Sequence, residues 1–238
     1  MLSKTFLWIE DRKEKASYIF WKNLMEQLYP EVTVEGKKNN SELVKSVKAL
    51  KDISNKYIIV FDNSFDNLQV VMEQKLLRSY VDGKDNVVLM DIICFEYILL
   101  EFKELIKWIY APDDEFLEKR ANAIAVREKF VDSINSGELK YKDIQEIMEY
   151  DKHVQEHNVE QLAARLLFAL TRNTGFEVSK GTIGECWIKS CCEWNNREES
   201  DICGLDDSRL SIFDKMKNIY EGTSLKEQFS KIGLEVSL

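Results

Sequence analysis

The stretch YIIVFDNSFDN, residues 57–67, decides how this chain reads. Its five apolar residues are too few for most helices. They form the near-continuous hydrophobic run that a strand shows when both of its faces are buried in a parallel sheet. The run stops at Asp62, and Ser64 and Asp66 follow two residues apart in what reads as a turn. Two more runs end the same way. FLWI, residues 6–9, runs into Glu10, and NVVLM, residues 86–90, runs into Asp91; VTVEG, residues 32–36, ends instead at Gly36.

Helical periodicity fills the intervals. Residues 13–29 carry Ile19, Phe20, Leu24 and Leu28 on one stripe. Residues 41–53 carry Leu43, Val47 and Leu50, with Ser41 as the expected N-cap. Residues 68–81 read as a third helix and residues 96–110 as a fourth. Repeated β-α-β units of this length predict an α/β fold with a parallel sheet and right-handed crossovers. Ligands of such sheets gather beyond the carboxyl ends of the strands, so Glu10, Gly36, Asp62 and Asp91 are expected along one edge.

Several carboxylates on one edge repel one another unless a cation or a proton neutralises them. Oxygens spaced two apart on a tight turn, as in Asp62, Ser64 and Asp66, suit one hard cation. Adding Glu10 and Asp91 gives enough oxygens for one or two Mg²⁺ (or Mn²⁺) ions. Two such ions roughly 4 Å apart stabilise the attacking and leaving oxygens of phosphodiester cleavage.

These features resemble a TOPRIM (topoisomerase–primase) domain, in the branch found in OLD-type and related phage-defence nucleases. The glutamate ending the family's first strand is matched by Glu10, and the glycine turn after its second strand by Gly36. The Asp-x-Asp motif ending its third strand is matched in part by Asp62 to Asp66, with the neutral, weaker ligand Ser64 in the second acidic position. MDIICFEYILL, with Asp91 and Glu96, is similar to the acid and glutamate-containing helix that some relatives carry next. The resemblance covers about residues 5–105. It implies catalytic roles for Glu10, as metal ligand or general base, and for Asp62 and Asp66 as metal holders assisted by Ser64. Asp91 and Glu96 would serve a second ion, and Lys37 or Lys38 would contact phosphate. The implied activity is metal-dependent nuclease cleavage of DNA or RNA, in a defence or mobile-element setting. Nucleic acid, a partner ATPase and a homodimer are the partners to test for.

A non-enzymatic module explains much of the same pattern. Receiver domains of response regulators are also α/β, with an acidic pair after the first strand, here Glu10–Asp11, and a phosphoacceptor aspartate after the third, here Asp62. Against that reading, the fourth strand ends in Asp91 where receivers carry Ser or Thr, and no fifth strand followed by Lys is visible. A degenerate, catalytically silent TOPRIM domain is the other form of this alternative. DNSFD also resembles the DxSxS metal motif of von Willebrand A-type domains, but that motif belongs to a first strand.

From about residue 112 the pattern turns helical, which suggests an α/β domain over 1–111 and a helical domain over 112–238. Residues 142–170 place Ile144, Ile147, Met148, Leu162, Leu166 and Leu170 at helical intervals. Residues 209–220 do so for Leu210, Phe213, Met216 and Ile219, and Ser224 to Glu227 has capping-box spacing. Cys186, Cys191, Cys192 and Cys203 lack the CxxC knuckle of structural zinc sites. Interleaved with Trp187, Ile188 and Trp194, they read as a packed core in which Cys acts as a small hydrophobe. His153 and His157 share a helix face without a third ligand and read as surface residues.

The formal charge of −9 argues against a sequence-independent nucleic-acid coat, because phosphate binding draws on Lys and Arg. Lys37, Lys38, Lys45, Lys48 and Lys51 are the nearest approach to a basic patch, and a solvated helix face explains them first. No apolar run approaches a membrane span. Glu10 and Asp11 interrupt the N-terminal run too early for a signal peptide, so a cytoplasmic location is expected. No Gly-rich phosphate loop is present, so ATP hydrolysis by this chain alone is not expected.

Overall fold

A computed structural model describes residues 3–110, 114–137, 159–179, 181–192, 203–205 and 209–234. The four apolar runs form β1 (Thr5–Ile9), β2 (Val32–Gly36), β3 (Lys56–Asp62) and β4 (Val87–Ile92). All pairings are parallel, and the sheet order is β2-β1-β3-β4. The register pairs Ile9 with Gly36 and Asp62 with Ile92, so the strands finish nearly level. The parallel α/β arrangement expected from the sequence is what the chain adopts.

Side chains alternate across a strand, and each face of the sheet builds its own core. Trp8, Tyr57, Ile59, Phe61 and Val87 pack under α2 (Asn40–Ala49) and α3 (Leu68–Val81). Leu7, Ile9, Ile58, Val60, Met90 and Ile92 pack on the other face under α1 (Ala16–Leu28) and α4 (Phe95–Glu101). The single helix expected over 96–110 is interrupted: α4 ends at Glu101 with Phe102 as its C-cap, and α5 (Leu105–Ile109) follows. A helix end leaves carbonyls without partners. Arg127 answers that need, donating to the Leu100 and Phe102 carbonyls at 2.7 Å each.

The remaining elements are α6 (Asp114–Ser136), α7 (Val159–Thr171), β5 (Val178–Ser179), β6 (Thr182–Ile183), α8 (Glu185–Ile188), α9 (Ile212–Gly222) and α10 (Leu225–Lys231). Leu162, Leu166, Leu170, Trp187, Met216 and Phe229 are fully buried. They join the α1–α4 face of the sheet in one continuous core. Among the described residues, the helical part therefore shares its core with one layer of the α/β unit. The two-residue strands β5 and β6 form an antiparallel ribbon too short for any periodicity to announce.

Two expected caps are replaced. Asn39, not Ser41, caps α2, accepting from the Glu42 amide at 2.9 Å. The capping box lies at Ser211 and Asp214, whereas Ser224 donates through its amide and hydroxyl to the Glu101 carboxylate. The expected helix over 142–158, with His153 and His157, lies outside the described residues. Among the described residues, no helix is long and apolar enough to cross a membrane.

Candidate functional site

β1 and β3 are neighbours, so Glu10, immediately after β1, and Asp62, at the end of β3, emerge side by side. Asp62 has the same strand parity as Ile58 and Val60, which turns it toward the face covered by α4 and α7. Its carboxyl is hydrogen-bonded to that of Glu10. Two carboxyls can do this only while at least one keeps its proton. Each is set among protein atoms and only partly exposed.

The local electrostatics follow from that placement. Burial, and then the charges of Glu160 and Asp11, push Glu10 up to about 8, against the opposing effect of the Asp62 hydrogen bond. Burial and the neighbouring charges of Glu10, Glu160 and Glu96 push Asp62 well above the usual carboxylate range. Glu96, near the start of α4, rises to about 7 chiefly through burial, with Glu160 among the charges that add to it. For all three groups the main influences are burial, hydrogen bonds and other carboxylates, with no lysine or arginine among them.

Glu160 is the member the sequence did not reveal. It lies at the start of α7, where the DNSFD turn holds it: Asp66 accepts from the Val159 amide at 2.8 Å, serving one of the helix's unpaired donors. Ser64, only 1% exposed, donates to the Glu160 carboxylate at 3.3 Å. Asp66 and Ser64 are thus spent on fastening α7 to the end of β3. The contact spans 96 residues of sequence, and nothing in the string VEQLAARLLFAL sets its one acid apart.

Two expectations about the edge need correction. Asp91 does not join the cluster. It shares strand parity with Val87 and Leu89, facing the α2–α3 side, and Arg78 of α3 grips both its oxygens at 2.8 Å. Lys37 is likewise engaged on that side, 2.8 Å from Glu35 and with its ammonium 3.7 Å above the Trp8 ring. Lys38 is exposed, in a left-handed backbone conformation with φ 81°. Gly36 does meet a close approach: a Cβ there would overlap the Asp11 carbonyl oxygen, so the residue keeps β2 tight against the loop that carries Glu10. The Asp11 carboxylate accepts from the Ser17 hydroxyl.

Among the described residues, no three His, Cys, Asp or Glu side chains stand ready-arranged around a cation. The donor set is nevertheless of the right chemistry for one, because Glu10, Asp62, Glu96 and Glu160 offer only oxygens, as Mg²⁺ and Mn²⁺ prefer. A proton and a divalent ion relieve the same repulsion, and burial with neighbouring negative charge raises the proton affinity of both Glu10 and Asp62.

The cysteine-rich stretch packs as expected only in part. Trp187 is fully buried and donates to the Phe176 carbonyl at 2.7 Å, and Cys203 belongs to the same core, whereas Cys192 is exposed and Trp194 lies outside the described residues. Burial pushes the Cys186 thiol up to about 11, so it stays neutral at physiological pH. Comparison of the chain with family models, with curated proteins and with solved structures gives no significant match.

Proposed function

We propose that this protein is a metal-dependent phosphodiesterase acting on nucleic acid, with Glu10, Asp62, Glu96 and Glu160 as the side chains that would hold Mg²⁺ or Mn²⁺. The observation that carries this reading is the crowding of four carboxyl groups from β1, β3, α4 and α7 at the carboxyl edge of a parallel sheet. Structural carboxylates are ordinarily paired with a base or left in water, and perturbed clusters of this kind concentrate at functional sites. A bound divalent ion would polarise a phosphoryl oxygen and ease ionisation of a water. Glu10, ionised under those conditions, would accept that water's proton. Asp62, ionised beside Glu10, would share the ion with it, and the Ser64 hydroxyl would keep Glu160 turned toward the site. The similarity of Glu10, Gly36, Asp62 and Glu96 to a TOPRIM pattern supports the same chemistry. It also favours a partner ATPase as the source of any nucleotide dependence.

The test is direct. Incubate end-labelled single-stranded DNA, duplex DNA and RNA with the protein in Mg²⁺ or Mn²⁺, beside Glu10→Gln and Asp62→Asn variants. Cleavage abolished in both variants is the expected result. Wild-type protein that cleaves none of these substrates overturns the reading.

A receiver-like role has one observation in its favour: β2-β1-β3-β4 is the beginning of the flavodoxin-like strand order that receiver domains share. In that case acetyl phosphate would label Asp62, and no nuclease activity would be found.

A further inference from the structure

We propose that the cleft between α4, α7 and β5 is the subsite that holds one unpaired nucleotide of a single-stranded substrate. Arg165 and Arg172 would receive its phosphates, and Phe168 would receive its base. The inference rests on the phosphodiesterase reading and names the form of nucleic acid that the site takes.

The cleft encloses about 480 Å³, within the range of roughly 300–1,000 Å³ typical of small-ligand sites. Its walls are Glu96, Arg165, Phe168, Arg172, Val178 and Ser179, with Ala164 and Ala169 behind them. Glu96 belongs both to this wall and to the carboxylate cluster, so whatever fills the cleft abuts the proposed chemistry. Arg165, Phe168 and Arg172 recur at intervals of three and four, which brings them to one side of α7 and its last turn.

The two arginines differ from Arg78, Arg120 and Arg127, and among the described residues they share with Arg12 and Arg209 a guanidinium without an ion pair or hydrogen bond. Arg78 is paired with Asp91, Arg120 donates to the Arg172 carbonyl, and Arg127 binds two carbonyls of α4. Among the described residues, neither Arg165 nor Arg172 makes an ion pair or a side-chain hydrogen bond. On a chain of net charge −9, two uncommitted guanidiniums beside a carboxylate cluster are what an anionic ligand needs to approach it. Arginine is also suited to phosphate by its planar fork of donors.

Phe168 is 40% exposed between them. A large ring left in water beside cationic forks is a stacking platform of the sort that single-strand binders use. A base inside a duplex already has both faces covered and cannot stack on it. The shallow apolar wall of Ala164, Ala169 and Val178 makes few demands on base identity, so the subsite would be tolerant of sequence.

The experiment uses the full chain and a fluorescein-labelled 12-nucleotide oligo-dT. Anisotropy is read in EDTA, where no cleavage occurs, across a salt series. The variants are Arg165→Ala, Arg172→Ala, the double variant and Phe168→Ala, each checked by circular dichroism, with Phe168→Trp as the conservative rescue. Each single arginine loss should weaken binding several-fold, and the double variant should flatten the logarithmic salt slope by about 1.4. Phe168→Ala should weaken binding at least about fivefold, with Phe168→Trp restoring it, and unlabelled duplex should compete poorly. Wild-type affinity in the variants, equal competition by duplex, or no binding by wild type overturns the proposal. A parallel cleavage assay in Mg²⁺ separates the two ideas. If cleavage survives but binding ignores Arg165, Phe168 and Arg172, the subsite is wrong and the phosphodiesterase stands. If the strand binds through these residues and is never cut, the phosphodiesterase is wrong and the subsite stands.

Discussion

Asp62 ends β3 and Asp91 stands one residue before the end of neighbouring β4, and the register sets them one residue apart, with Phe61 opposite Asp91 and Asp62 opposite Ile92. That single step sends them to opposite faces of the sheet. Asp62 is held against Glu10 on the face where α7 adds Glu160. Asp91 meets Arg78 on the other face, half in water, in an ordinary surface ion pair. Two similar sequence signals thus have different physical fates, because a side-chain period of two makes one residue of offset equal to a change of face. Chemistry is to be sought where acids meet acids. An acid that meets its own arginine is already neutralised.

The sharpest break between the two regions is catalytic. Asp62→Asn or Glu10→Gln should reduce cleavage by roughly 100-fold or more, the scale of losing a positioned acid–base group, whereas Asp91→Asn should leave the rate within about twofold of wild type, as loss of an exposed ion pair would. Initial rates on the best substrate decide this. Equal losses at both positions would erase the distinction.

Ligand-linked stability comes next. Millimolar Mg²⁺ or Mn²⁺ should raise the melting temperature of wild type and of Asp91→Asn, because binding only the folded state stabilises it. It should leave Asp62→Asn and Glu160→Gln unmoved. Thermal scans with and without the ion make the comparison, and Glu160→Gln probes the member supplied by the helical part.

The pH response should differ as well. Glu10 and Glu96 rise from 4.5 to about 8 and about 7 in the fold, so between those values the folded state binds more protons than the unfolded state. Stability without divalent ions should therefore be greatest below about pH 4.5 as far as these groups are concerned. It should fall as pH climbs through 7 to 8. Glu10→Gln should flatten that decline and Asp91→Asn should not, as measured by urea denaturation at pH 5, 6, 7 and 8.

The smallest effects concern attachment. Asp66→Ala removes the acceptor for the Val159 amide and should cost about 1 kcal/mol, as capping losses do. Asp91→Ala should cost less, about 0.5 kcal/mol. Chemical denaturation reads both.

Much of this was legible in the chain. The apolar runs ending at Glu10, Asp62 and Asp91 announced the parallel sheet, since strand length and near-continuous hydrophobicity are local properties. Gly36 was legible for the same reason. The face each acid takes was not, because it depends on where a strand stops to within one residue. Glu160 was invisible, since only tertiary docking through Asp66 and Ser64 brings α7 to the edge. Those two residues show what the sequence alone left unseen: a turn rich in oxygens also fastens a helix. The break at Phe102 was hidden too, because Arg127, twenty-five residues on, supplies the partner for the exposed carbonyl.

The central claim is that a divalent ion binds at Glu10 and Asp62 by displacing protons from them. Isothermal titration of Mn²⁺ into the protein at pH 6, repeated in two buffers of different ionisation enthalpy, measures that exchange. The account predicts saturable binding with release of about one proton or more per ion, lost in Asp62→Asn and intact in Asp91→Asn. Absence of binding, or binding with no proton release that survives Asp62→Asn, would contradict it.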